Sequence, residues 1–213
     1  MTIEINPPIT KRKWYEIWWD VWVHPGVASF QALLQEADHS TTRGFIWIAV
    51  TSLIVALATS VLTVGSLQNY EPNFASPMVY YLCVVILTPI FAIIGLTIST
   101  GIYHGIARLL GGTGTWSDLV ICVCAVTAPS ALIAGVIALI TFLVQFPLLF
   151  FIPSLLSFLF GIYAIVLYII ALKASENISG GKAVLVYFIP VIIVGLIVLC
   201  AFLALIPAYR VTG

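Results

Sequence analysis

The stretch Met78 to Tyr103, MVYYLCVVILTPIFAIIGLTISTGIY, holds no Asp, Glu, Lys, Arg or His in 26 residues. An α-helix rises about 1.5 Å per residue and the hydrocarbon core of a bilayer is about 30 Å thick, so roughly 20 such residues are enough to cross it. Outward from this run lie four more of the same kind: Phe45 to Ser66, Leu119 to Phe142, Phe150 to Leu172 and Ala183 to Ile206. None alternates polar and apolar residues as a transmembrane barrel strand does, and an open sheet edge in lipid would leave backbone groups unpaired. The predicted fold is therefore an all-α integral membrane protein, with five transmembrane helices preceded by a short amphipathic N-terminal helical segment. Residues 1–43 form that segment, 44–206 the membrane domain (spans about 45–66, 78–103, 119–142, 150–172 and 183–206), and 207–213 a short tail.

Composition agrees. The chain is 62% hydrophobic and 8% charged, where soluble domains average about 45–50% apolar and about 25% charged residues. Eight acidic residues balance eight basic ones, so net charge gives no reason to expect a nucleic acid or an acidic substrate. Cys83, Cys122, Cys124 and Cys200 all sit in apolar runs, and Cys122 and Cys124 are one residue apart rather than the two of a zinc or redox pair. They read as small hydrophobes. The first long apolar run starts too far into the chain for a cleaved signal peptide.

Charge distribution gives the orientation. Lys11, Arg12, Lys13 and Arg43 precede the first span, Arg108 follows the second, and Lys173 and Lys182 flank the connection between the fourth and fifth. Seven of eight basic residues thus share one side, leaving only Arg210 on the other. The positive-inside rule makes that side cytoplasmic, with the N-terminus in and the C-terminus out.

From Trp14 to Val23, helical spacing puts Trp14, Ile17, Trp18, Val21 and Trp22 on one arc, with Lys13, Glu16 and Asp20 opposite. Pro25 and Gly26 break this helix, and Val27, Phe30, Leu33, Leu34 and Ala37 mark a second. Two readings stand side by side: the segment lies in the headgroup layer, where indole rings are favoured, or it packs under the bundle as a plug. Trp14, Trp18 and Trp22 are the candidate contacts to lipid or a partner.

No ionisable residue falls in the middle of a span, which argues against a pump or a charge-coupled carrier, and the histidines lie too near the span ends for a haem pair. No catalytic set, metal or cofactor is expected. His104 and Arg108, four apart, share a helix face and form either a headgroup or partner corner or a pair that snorkels to the interface. Gly111 to Ser117 reads as a flexible turn with Ser117 or Asp118 capping the third span. The order of its residues does not make a phosphate loop. Gly101 and Gly105 form a GxxxG pair, and Ala131 with Gly135 a second small pair; both are expected to pack helices within the chain. Pro89, Pro129 and Pro190 should kink three spans.

Three pieces of the sequence resemble a known family. Leu109-Leu110-Gly111-Gly112-Thr113-Gly114-Thr115-Trp116 enters a span containing Thr127-Ala128-Pro129, and Ile178-Ser179-Gly180-Gly181-Lys182-Ala183 precedes the last. Together with Trp22 to Pro25 and Phe30, these resemble the prokaryotic type of Yip1 domain over about Trp14 to Leu205. The resemblance implies a five-span membrane domain with a cytoplasmic N-terminus, in a prokaryotic plasma membrane. Eukaryotic relatives are associated with Rab GTPases and vesicle traffic, but the DLYGP motif of those relatives is missing here, and the role is not carried over. The functional expectation is a non-catalytic scaffold or accessory subunit that contacts membrane lipids and binds another membrane protein or a larger membrane complex. The alternative is a channel or carrier for a neutral or lipidic solute, which a continuous polar cavity would favour.

Overall fold

A computed structural model describes residues 12–36, 38–67, 77–143 and 151–211, without the side chains of 61–67, 77, 78, 80, 143 and 201–211. Lys11, Ala37, the connections through 68–76 and 144–150, and the end of the tail therefore lie outside the described residues. Seven helices are described: α1 (Trp14–Val23), α2 (Val27–Leu34), α3 (Thr41–Leu67), α4 (Pro77–Leu109), α5 (Trp116–Leu143), α6 (Phe151–Glu176) and α7 (Gly180–Val211). The last five are long and apolar enough to cross a membrane. Their ends run past the charge-free stretches. His104 and Arg108 are thereby carried on α4, Arg43 on α3 and Glu176 on α6.

α5 is the axis. In its span 61% of the residues are buried, against 6–33% for the other four. Leu119 to Val126 is closed off on every side, as expected of a helix that is apolar all round. Around α5 the helices α3, α4, α7 and α6 form a ring, each packing on the next. α3 and α6 do not pack broadly on each other, and α1 and α2 fill that side by reaching α5 and α6. The packing reading of the N-terminal segment is thus the one the structure adopts: Ile17 and Phe30 are 0% exposed, and Val21 and Leu33 join the same core.

Ions hold this plug in place. Arg12 Nε donates to Glu36 Oε1 at 2.5 Å and Arg43 Nη1 to Glu36 Oε2 at 2.8 Å, while Arg12 Nη1 reaches Asp20 at 3.1 Å. Arg43 Nη2 also donates to the Arg12 carbonyl at 2.8 Å. Glu36 is almost fully buried, and two guanidinium groups compensate its charge.

Two sequence expectations are corrected. Gly101 and Gly105 face outward with Ile98 and Ile102, and a Cβ on either would meet nothing within 4 Å among the described residues. The inward side of α4 is instead Leu96, Thr100 and Ala107, so the GxxxG pair packs no helix within the chain. Gly135 does pack, against Val55 of α3. The cap of α5 is Thr115, whose Oγ1 accepts from the Asp118 N–H at 3.2 Å, and Ser117 bonds Thr41 on α3 instead. The backbone stays helical through Pro89, Pro129 and Pro190.

Candidate functional site

Three features at or near the charged end of the bundle are built well enough to act. The first joins α4, α6, α7 and the turn from α4 to α5. His104 Nδ1 lies 2.7 Å from Glu176 Oε1, although the two residues are 72 apart in sequence. Arg108 Nε approaches His104 Nε2 at 3.5 Å, so Nε2 is the ring's acceptor and Nδ1–H its donor to the carboxylate. Glu176 is 0% exposed, and its Oε2 has no hydrogen-bond partner among the described residues.

The glycine turn is shaped around this acid. Gly111 takes φ +87°, a left-handed conformation that costs other residues roughly 1–2 kcal/mol. Gly114 lies against the Ser175 carbonyl so closely that a Cβ there would overlap it, and a Cβ on Gly112 would stand 3.2 Å from Glu176 Oε2. The Thr113 N–H donates to the Glu176 carbonyl at 3.0 Å, and Lys182 Nζ to the Leu110 carbonyl at 2.7 Å. His104 and Arg108 thus share a face, as their spacing predicts, but His104 turns inward to an acid rather than outward to headgroups. Arg108 alone remains exposed at the interface. Glu176 is the residue that sequence reasoning missed. Its signal is that no other acidic residue follows Asp118.

The second feature is the α1 surface. Trp18 packs edge-on to Trp47 of α3 at 6.0 Å, and Trp22 stacks on Phe160 of α6 at 5.2 Å. Tyr163 also donates its hydroxyl to the Trp22 carbonyl. These two tryptophans are held against the chain's own bundle, and Trp18 also lines an outward-facing groove. Trp14 is 52% exposed, and beside it Tyr15 at 47% and Trp19 at 67% face out. Trp19 falls off the four-residue strip, and for that reason periodicity passed over it. Below Trp14 and Trp18 an apolar groove of about 360 Å³ continues along Ile46, Val50 and Ile54 of α3.

The third feature is a cavity of about 440 Å³ between α4 and α5, touched by all five long helices. α4 leans on α3 far more than on α5, and the gap is left there. Its lining is mostly apolar, with hydroxyls from Thr51, Ser52, Ser99, Thr127 and three tyrosines, and includes no charged side chain. It lies beside α5 and gives the neutral-solute reading a chamber. No group of three or more His, Cys, Asp or Glu side chains is placed to hold a metal among the described residues.

With this geometry in view, the family model described as the Yip1 domain matches residues 19–202. No curated protein and no solved structure matches the chain.

Proposed function

The chain belongs to the Yip1 domain family, and from that premise we propose that it is a non-catalytic membrane scaffold or accessory subunit that binds another integral membrane protein. The observation that carries this reading is the α1 face. Trp14, Tyr15 and Trp19 are exposed on a helix whose opposite side is locked by Ile17, Val21 and the Arg12–Glu36–Arg43 ions. Large aromatics held rigid before contact dominate many interfaces, because little side-chain freedom is lost on binding. The adjoining groove along Ile46, Val50 and Ile54 extends the surface to membrane depth, and so suits the apolar side of a partner's spanning helix. The ionisable groups the fold brings together, Glu36 with its two arginines and Glu176 with His104, are occupied by one another. That supports a structural use for them. In this reading the charged end faces the cytoplasm of a prokaryotic cell.

A photo-crosslinking amino acid at position 19, compared with one at Val194 on the outer face of α7, tests the proposal. Illumination of whole membranes should yield a protein adduct of defined mass from position 19 and a different pattern, or none, from position 194. Lipid adducts alone from position 19 would overturn it.

A further inference from the structure

The cavity beside α5 is built to hold something from the bilayer. Tyr103 and Tyr187 stack at 5.9 Å, and Tyr187 stacks in turn on Tyr168 at 6.1 Å. The Tyr168 hydroxyl meets Thr127 Oγ1 at 2.8 Å. Thr51, Ser52 and Ser99 donate their hydroxyl protons to carbonyls of their own helices, which leaves acceptor lone pairs but no donors. The Tyr103 and Tyr187 hydroxyls make no hydrogen bond among the described residues. Two free donors therefore sit in a lining that is otherwise apolar or already satisfied, where an unmet hydroxyl is costly.

Position and shape narrow the occupant. Tyr103 is six residues before the end of α4 and Tyr187 seven after the start of α7, which places both about 10 Å below the helix ends. Ester groups of a bilayer lipid lie near that boundary between headgroup and hydrocarbon, and aromatic hydroxyls favour it. From Tyr103 the lining follows α4 back to Phe91, about 18 Å of helix, and Phe91 is 64% exposed to the surrounding membrane. The volume falls within the roughly 300–1,000 Å³ of ligand pockets, which are mostly apolar with a few placed polar groups. An uncharged lining excludes a charged headgroup from the interior.

We propose that this cavity binds one glycerolipid from the side, with Tyr103 and Tyr187 donating to its ester carbonyls and an acyl chain lying along α4 towards Phe91. The headgroup stays outside. This inference is independent of the α1 partner surface, and either can fail alone.

Gly95 supplies the decisive variant. It lines the cavity, and a Cβ there meets nothing within 4 Å, so Gly95→Phe places a ring at the cavity wall and its first carbon displaces no neighbour. Gly161 of α6 is equally open but lies outside the lining, so Gly161→Phe is the matched control. The purified full chain is placed in nanodiscs carrying a trace of photoactivatable diacylglycerol with the reactive group in mid-chain. A parallel arm uses the same chains on phosphatidylglycerol. Labelled peptides are expected to concentrate on Phe91–Tyr103 of α4 and around Thr127, to be lost in Gly95→Phe and to persist in Gly161→Phe. Tyr103→Phe and Tyr187→Phe keep the ring stacking, and each should weaken labelling about 2- to 10-fold; they carry the test if Gly95→Phe fails to fold. Labelling in both arms assigns recognition to the shared ester region, and labelling in one arm identifies the headgroup source. Even labelling of outer faces such as Phe158 and Ile193, no labelling in either arm, or equal loss in both glycine variants would overturn the proposal.

Discussion

Two glycines in the turn after α4 separate the demands made on single residues. Gly111 needs a left-handed backbone, whereas Gly114 needs the absence of a Cβ beside the Ser175 carbonyl. Gly114→Ala forces backbone to move and should cost about 1–3 kcal/mol or more; Gly111→Ala should cost about 1–2 kcal/mol. Melting of the purified variants in detergent should rank them in that order, and an unaffected Gly114→Ala would show that the turn is not pinned to α6. Glu176→Ala tests the acid itself. Removing a fully buried partner leaves His104 without its acceptor, and a loss of about 1–3 kcal/mol is expected. The glycines were legible in sequence as a turn. Their function in seating an acid was not, because Glu176 lies more than 60 residues further on and only the packing of α6 against the turn brings the two together.

At the scale of the element, α1 divides its aromatics between two tasks. Trp22 stacks inside the bundle on Phe160 while Trp19 stands outside. Trp22→Ala, at a partly buried ring, should lower stability by about 2–3 kcal/mol, and Trp19→Ala should leave it within about 0.5 kcal/mol. Equal melting of the two variants would contradict the placement of α1. Glu36→Ala, which leaves Arg43 without its carboxylate and Arg12 with Asp20 alone, should cost about 3–5 kcal/mol and speed proteolysis at the Pro25 bend. The amphipathic arc was readable from spacing. Which tryptophans on it face the protein was not, because helical periodicity describes a stripe and not what lies opposite. The spanning helices were the most legible elements, since a hydrocarbon core tolerates neither unpaired backbone nor unpaired charge and so leaves long charge-free runs in the sequence. The inward and outward faces of α4 were not, because both sides of a membrane helix are apolar. Gly101 and Gly105 were misplaced for that reason.

Across the whole molecule, Arg12, Lys13, Arg43, Arg108, Lys173 and Lys182 all lie at or near helix ends and in the turns between helices. With five crossings, a reporter fused after Gly213 should be active only outside the cytoplasm and one inserted in the 177–179 turn only inside; activity of both on one side would refute the topology. The cavity was not foreseeable, because it arises from how far α4 stands off α5 and no residue pattern encodes that distance. Partner binding through the exposed face of α1 is the central claim, and the native mass of the complex extracted in mild detergent tests it most directly. The wild-type chain should carry a companion of fixed mass and stoichiometry, and Trp14→Ala with Trp19→Ala should release it while the bundle stays folded and inserted. A chain that is solitary in both forms, or a companion retained by the double variant, would contradict the claim.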